Sequence, residues 1–248
     1  MKKICICGGG SLGHVIAGYL SANGKATVSI LTNHPTAWQN KIEICVPDNG
    51  EMLIGNIACV SANPAEALLD AEIVLLCLPG FLIKDELIKI RDFINSGTYV
   101  GSVFSSTGFF FEALKLLNED IPLWGFQRVP FISRIKEYGH SASLLGYKGC
   151  YHIAVERDTD ANKELFRYWV ENSFDRPVTL LKNYLEASLT NSNPLLHTAR
   201  LYSMFHDWQP GISYPRNILF YEEWTEDAAK LLIQMLSLIH ISEPTRRV

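Results

Sequence analysis

Two stretches of the chain carry residues whose types and spacing suit chemistry. The first, KKICICGGGSLGHVIAGYL, places Gly8-x-Gly10-x-x-Gly13 between a short apolar run and apolar residues at helical spacing. A pyrophosphate needs bare backbone N–H groups at a helix N-terminus. Gly8 permits the tight turn, and Gly10 lets the phosphates approach the backbone closely. Gly13 lets the helix pack closely on the strand. With Ser11 and Leu12 between them, these residues predict a dinucleotide-binding turn, the alternative being a generic glycine-rich turn.

The second stretch, TNSNPLLHTARLY, sets His197 in a run that otherwise reads as core. Histidine is the side chain suited to carrying a proton near neutral pH. Asn193, four residues earlier, would share its helix face or cap the helix, and Pro194 suits the first turn. A lone histidine on an apolar helix is more often structural, so the residues alone leave both roles open.

Further contacts are predicted where strands end. An acidic residue at the end of the second strand would accept a hydrogen bond from the ribose 2′-hydroxyl of NAD, and an arginine would favour the 2′-phosphate of NADP. Thr32 and Asn33 occupy this place and provide neither, which favours NADP while NAD remains a candidate. Pro79 and Gly80, in CLPGF, are either contacts for the nicotinamide end or an ordinary strand-to-helix turn.

The elements that must position these residues alternate along the first 180 residues. Strand-like segments at 27–32, 72–78, 98–103 and 121–126 are separated by helical ones at 82–94 and 109–117. This alternation predicts a parallel, doubly wound sheet. Two further local features are a β-hairpin with a type I′ turn at Asn49-Gly50, read as a local insertion, and a short helix capped by Asn63.

Past residue 180 the pattern becomes helical without interleaved strands, and Thr225 is the expected N-cap of the last helix. The predicted class is therefore α/β, with a Rossmann-type domain at 1–180 and the incomplete start of an α-helical domain at 181–235.

Composition excludes several classes of function. A net charge of −4 and a pI near 6.0 give no footprint for nucleic acid or an anionic membrane. The longest apolar run, 73–83, is too short to span a bilayer, and no signal peptide is evident. Six cysteines without metal-ligand spacing read as core thiols, so we expect no metal and a reducing, cytoplasmic location.

Taken together, GGGSLGHVIAGYL, CLPGF, QRVPFISRIKEYGHSASLLGYK and TNSNPLLHTARLY resemble the octopine and nopaline dehydrogenase family of opine dehydrogenases, from residue 1 to about residue 235. The resemblance implies a Rossmann domain followed by an α-helical domain, with the active site in the cleft between them. It also implies condensation of an amino acid with a 2-oxo acid and reduction of the imine by NADH or NADPH. The two substrates and the oligomeric state stay undetermined.

Under this resemblance His197 matches the catalytic histidine of the family, and Asn193 belongs to the same Asn-Pro-x-x-His element. Arg134 falls where the family's Leu-Pro-Trp-x-Cys-Arg element has its arginine, although VPFISR lacks the tryptophan and the cysteine. An arginine fork suits a substrate carboxylate, and Arg200 is a second candidate for this contact. Without the resemblance, either arginine would read as a solvated surface residue.

Two alternatives remain. Ketopantoate reductases also pair a glycine motif with an Asn-Pro element, but use a lysine, for which Lys182 is the candidate. The other alternative is a dinucleotide-binding protein without chemistry of its own.

The C-terminal segment raises a separate expectation. LSLIHISEPTR, residues 236 to 246, looks like a translated sequencing adapter, so 236–248 is expected to be an artefact on a truncated gene, with no role for His240. The aspartate that orients the family's histidine would lie beyond this chain. We therefore expect the chain to be nearly inactive, since loss of such a partner costs on the order of 10⁴ in rate.

Overall fold

The computed structural model describes residues 1–242, and it divides the chain into two units, Met1–Ser188 and Leu189–Val248. The division falls within a helix, a few residues after the boundary expected at residue 180. Each unit has its own architecture.

The first unit is built on a sheet of eleven strands. The strands are β1 (Lys2–Cys7), β2 (Ala26–Leu31), β3 (Lys41–Val46), β4 (Glu51–Ser61), β5 (Ile73–Leu76), β6 (Tyr99–Ser102), β7 (Leu123–Phe126), β8 (Phe131–Glu137), β9 (Ser141–Tyr147), β10 (Tyr151–Glu156) and β11 (Val178–Leu180). Its helices are α1 (Ser11–Ala22), α2 (Pro64–Ala67), α3 (Gly80–Ile90), α4 (Phe109–Leu116), α5 (Asp160–Phe174) and α6 (Tyr184–Leu189), which ends one residue into the second unit.

The centre of the sheet confirms the predicted fold class. Its strand order is β4-β2-β1-β5-β6-β7, and every neighbouring pair in this series is parallel. This is the order of a doubly wound, dinucleotide-binding sheet, whose ligand crevice lies at the carboxyl ends of the strands where the order reverses, here beside β1. Antiparallel pairings then extend the sheet at both sides, with β10 on β7 and β3 on β4. Beyond β3 the antiparallel β8–β9 hairpin joins the sheet through β9, which is parallel to β3.

Strand β1 shows why the sheet needs helices on both faces. Ile4 and Ile6 point into a core that includes α1 and α5, whereas Cys5 and Cys7 point into a core that includes α3 and α4. Successive side chains alternate between the faces of a strand, and here both sets are fully buried. The two thiols thus act as small core hydrophobes, as the sequence predicts.

The segment at 41–61 departs from expectation. It does form a hairpin, but β4 also pairs in parallel with β2, so the segment belongs to the main sheet and is not a local insertion. The type I′ turn is wrong as well: residues 47–50 form a four-residue loop, and Asn49 is not among the residues with positive φ, as that turn requires. The Asn49 side chain instead accepts a hydrogen bond from Glu51 N–H at 3.0 Å.

The second unit contains helices and, within residues 189–242, no strands. Its main helices are α7 (Asn193–Phe205) and α8 (Glu226–Ser242), which pack against each other. Ala199 on α7 and Ala228 on α8 are fully buried. Thr225 Oγ1 accepts a hydrogen bond from Ala228 N–H at 3.2 Å, which confirms it as the cap of α8. Helix α8 includes the first part of the segment expected to be adapter-derived, and residues 243–248 of that segment lie outside the described residues. None of the described helices is long and apolar enough to cross a membrane.

Candidate functional site

The glycine turn joins the end of β1 to the start of α1. Gly8 has φ +118°, a conformation that L side chains rarely adopt, and a Cβ at this position would lie 2.7 Å from Cys77 O. A Cβ on Gly13 would overlap Gly8 O, so α1 can approach the strand this closely only with glycine there. The chain itself therefore requires glycine at these two positions.

Gly10 differs from its neighbours because a Cβ there would meet no protein atom within 4 Å. It is the N-cap of α1, offers no side chain to the first N–H groups, and is followed by no acidic residue in the first turn. Neither a capping side chain nor a first-turn carboxylate therefore offsets the positive end of the helix dipole. These features fit a phosphate-bearing group approaching the backbone at Gly10, the role predicted for it.

A large cavity of about 720 Å³ opens beside this turn. Six of the predicted site residues line it together: Gly10, Ser11, Leu12, Pro79, Gly80 and Arg134. The remaining walls come from the segment after β6, which contains Ser106 and Thr107, and from the first residues of β8. The carboxyl ends of β5 and β6 thus meet the glycine turn, as expected for the nicotinamide end of a dinucleotide site.

The positively charged side chain of Arg134 lines this cavity. Its side chain is exposed, and Nη1 donates a hydrogen bond to Ser133 O at 2.9 Å. Among the described residues, no carboxylate forms an ion pair with it. Such an arginine retains donors for a ligand carboxylate, although the role predicted for Arg134 stays a prediction.

A smaller cavity of about 160 Å³ lies on the other side of the turn. Gly8, Thr32 and Asn33 line it, and Tyr138 joins them from the β8–β9 hairpin. The role of Thr32 and Asn33 at the adenosine end stays a prediction. The Thr32 hydroxyl accepts a hydrogen bond from His34 N–H at 3.3 Å. Thr32, Asn33 and His34 bring no carboxylate to the end of β2.

Apart from Arg134 on β8, the sequence prediction missed the contribution of the β8–β9 hairpin to the site. Ser11 Oγ accepts a hydrogen bond from Ile135 N–H at 3.3 Å, so the glycine turn is attached directly to β8. His14, buried on α1, makes a second attachment: its Nε2 accepts a hydrogen bond from Gly139 N–H at 2.7 Å. Its Nδ1 must then carry the proton, which it donates to Gly10 O at 3.0 Å.

Burial of the ring lowers the pKa of His14, and an imidazole that accepts a hydrogen bond at one nitrogen is neutral. The ring also stacks on Trp38, with centroids 4.1 Å apart. The sequence contained a signal for this contact, namely a histidine beside the glycine motif and Tyr138-Gly139 as a turn pair, but not the pairing between them.

His197 lies on α7 with an exposed side chain. Its Nε2 is 3.1 Å from the Tyr221 hydroxyl, and its ring packs edge-on against Phe220 with centroids 5.3 Å apart. Asn193 is the first residue of α7 and is also exposed, so it shares the His197 face of the helix. It does not act as the cap, since Ser192 holds that position. The catalytic role of His197 stays a prediction.

Arg200 requires a correction. It was expected in the substrate cleft or on the solvated surface, but only 1% of the residue is exposed. Its Nε donates to Phe220 O at 3.0 Å, and its Nη2 donates to Glu223 O at 2.7 Å and to Leu219 O at 3.3 Å. The guanidinium therefore holds the irregular segment before α8 against α7, which is a structural role.

No family model matches the chain. It is 28% identical to the uncharacterized protein y4xO of Sinorhizobium fredii, over 84% of this chain and 58% of that protein. It is 26% identical to tauropine dehydrogenase of Arabella iricolor, over 94% of this chain and 62% of that enzyme. The chain thus spans about 60% of the length of these relatives.

Two solved structures place the fold. An octopine dehydrogenase in complex with NADH and agmatine has a TM-score of 0.76 at 20% identity, covering 93% of this chain and 60% of that one. A 2-dehydropantoate 2-reductase from Porphyromonas gingivalis has a TM-score of 0.62 at 13% identity, covering 82% and 71%. The chain is homologous to opine dehydrogenases, which confirms the resemblance inferred from its motifs.

Proposed function

We propose that this chain carries the dinucleotide-binding part, and the start of the helical part, of an NAD(P)H-dependent opine dehydrogenase. The reaction joins the amine of an amino acid to a 2-oxo acid with loss of water, and a hydride and a proton then reduce the imine. The observation that carries the proposal is the large cavity of the first unit. There the N-terminus of α1, which has no side-chain cap, lines the same space as an arginine that forms no ion pair with any described residue.

The residues present fit the cofactor. The open backbone at Gly10 and the free amides of α1 suit a pyrophosphate, while Pro79 and Gly80 line the space beside it. NADH or NADPH bound there supplies the hydride for the reduction. Thr32 and Asn33 border the adenosine end.

Arg134 is the residue we assign to a substrate carboxylate. Both substrates of the proposed reaction carry one, and a guanidinium binds carboxylates with two parallel hydrogen bonds. Its position in the same cavity as Gly80 supports this assignment. The exposed Asn193 is assigned to substrate contact because it shares a helix face with His197.

His197 is assigned to proton transfer. Amine attack on the 2-oxo acid releases a proton and loss of water requires one, so one group that both accepts and donates serves the two steps. In this chain Nε2 interacts with the Tyr221 hydroxyl, which holds the ring while leaving it exposed. A hydroxyl is not a carboxylate and stabilises an imidazolium less, so slow turnover is expected.

Single-turnover kinetics with the protein in excess over NADPH or NADH test the proposal. Pairs of amino acids and 2-oxo acids should oxidise the cofactor only when both substrates are present, and mass spectrometry should find the N-substituted amino acid. His197→Ala should reduce the rate at least 100-fold, roughly the contribution of general acid–base catalysis. Lys182→Ala is the matched control, because Lys182 is exposed and outside both cavities.

Three outcomes would contradict the proposal. Oxidation with the 2-oxo acid alone, lost in Lys182→Ala and retained in His197→Ala, would indicate a ketopantoate-type reductase. Tight cofactor binding without any turnover would indicate a binding protein. Absence of cofactor binding would remove the dinucleotide site itself.

The proposed setting of the enzyme is the cytoplasm, with small molecules as its partners and neither nucleic acid nor membrane among them. Its six cysteines are all free, which is in keeping with a reducing compartment.

A further inference from the structure

The turn of the β8–β9 hairpin lies next to the smaller cavity. Gly139 has φ +72°, its carbonyl accepts a hydrogen bond from Gln39 N–H at 2.8 Å, and His140 O accepts one from Glu43 N–H at 2.9 Å. With the bond from Gly139 N–H to His14, the turn is held from α1 and from the segment leading into β3. Tyr138, at this turn, therefore has a fixed backbone position.

The Tyr138 side chain reaches the glycine turn. Its hydroxyl lies 3.2 Å from Thr32 Oγ1, and its ring packs edge-on against His14 with centroids 5.2 Å apart. A Cβ on Gly9 would overlap this hydroxyl and come within 3.1 Å of Thr32 Oγ1. Gly9 is the one glycine of GGGSLG to which the dinucleotide motif gives no role. Here it makes room for Tyr138, which remains 37% exposed and lines the cavity.

Side chains around this cavity can donate hydrogen bonds to a phosphate. Lys89 and His34 line it, and the end of β2 brings no carboxylate. Glu86 also lines it, with its carboxylate 3.9 Å from the Lys89 ammonium, so that the two charges offset one another. Burial raises the pKa of this glutamate. A hydroxyl group donates readily to a phosphate oxygen, and such a bond to a charged acceptor is stronger than one to a neutral ribose hydroxyl.

We propose that Tyr138 determines cofactor specificity, its hydroxyl donating a hydrogen bond to the ribose 2′-phosphate of NADPH in the cavity that Lys89 and His34 also line. The proposal rests on the proposed function insofar as the chain must bind a dinucleotide. It assigns the choice between NADPH and NADH to a residue about 125 positions after the glycine motif.

The test is the affinity of the full chain for NADPH and for NADH, measured separately by tryptophan fluorescence quenching or calorimetry. The wild-type chain should bind NADPH more tightly. Tyr138→Phe should weaken NADPH binding roughly tenfold or more and NADH binding at most about threefold. Tyr147→Phe is the matched control: it removes a hydroxyl from the same hairpin, on β9, outside the cavity, and should change neither affinity.

A second variant tests the room that Gly9 provides. Gly9→Ala should displace the Tyr138 hydroxyl and lower the NADPH preference in the same direction, with far-UV circular dichroism reporting that the chain is still folded. Adenosine 2′,5′-bisphosphate and 5′-AMP, used as fragments, should show the same difference as the two whole cofactors.

The outcomes separate the two proposals. If wild type prefers NADH, or if Tyr138→Phe changes both affinities equally or neither, the inference about Tyr138 is overturned while dinucleotide binding stands. If neither cofactor binds a folded chain, both are overturned.

Discussion

Replacement of Arg200 by methionine tests whether this arginine stabilises the fold or binds substrate. Methionine keeps much of the apolar stem but removes the three hydrogen bonds to the carbonyls of Leu219, Phe220 and Glu223. A hydrogen bond from a charged donor contributes about 1.5–3 kcal/mol, and each buried carbonyl left without a partner costs about 1–3 kcal/mol. These contributions are not additive, so we expect a loss of about 3–5 kcal/mol, at the low end of the sum of three such bonds.

The assay is urea denaturation followed by tryptophan fluorescence, because the Arg200 guanidinium lies 5.8 Å from the ring centroid of Trp224. Arg216→Met is the control. Arg216 is exposed and forms its ion pair with Glu223, so its loss should change the unfolding free energy by no more than about 1 kcal/mol. The transition of the second unit should shift in Arg200→Met and stay nearly in place in Arg216→Met. Unchanged stability in Arg200→Met, combined with weaker substrate binding, would refute the structural role and restore the one predicted from the sequence.

Three further predictions concern the first unit. Gly10→Ala should leave the unfolding free energy within about 0.5 kcal/mol of wild type and weaken cofactor binding, whereas Gly13→Ala should destabilise the fold by about 1–3 kcal/mol. Chemical denaturation and cofactor titration measure the two effects, and equal behaviour of the two variants would contradict the prediction. Since burial lowers the pKa of His14, the histidine is protonated in the unfolded chain at a higher pH than in the folded one. As the pH falls below about 6.5, the unfolding free energy should therefore decrease by at most about 1.4 kcal/mol per pH unit. His14→Gln should remove this pH dependence from denaturation curves measured across pH 5–7. Alkylation of the native protein followed by peptide mass mapping should spare the three buried cysteines, and rapid modification of any of them would contradict their burial. These are Cys5, Cys7 and Cys77.

Local signals made the centre of the fold predictable. The glycine spacing, the run of β1 and the helical periodicity of α1 all lie within twenty residues and agree with one another. The same holds for Asn63, which caps α2 as predicted and accepts a hydrogen bond from Ala65 N–H at 3.1 Å. Alternation of strands and helices then fixed the parallel pairing.

Contacts between residues far apart in the sequence could not be predicted from local patterns. The β8–β9 hairpin continues the sheet through β3, a strand about a hundred residues earlier, and no local pattern specifies that partner. Arg200 was misjudged for a related reason. A charged residue on a helix reads as solvated unless acceptors are visible, and its acceptors are main-chain carbonyls of an irregular segment about twenty residues later. The predicted type I′ turn at Asn49 was wrong because the loop is longer than the Asn-Gly dipeptide implies.

The bond between His14 and Gly139 spans 125 residues of chain and has a consequence for biosynthesis. While the ribosome is still translating the middle of the gene, the N-terminal strand and helix can already associate, since domains begin to fold as they emerge. The imidazole of His14, however, cannot accept its hydrogen bond from Gly139 N–H until residue 139 has left the exit tunnel. A nascent chain arrested before that point should lack this contact to its nucleotide turn, and it should acquire full affinity for the cofactor only once residue 139 has emerged.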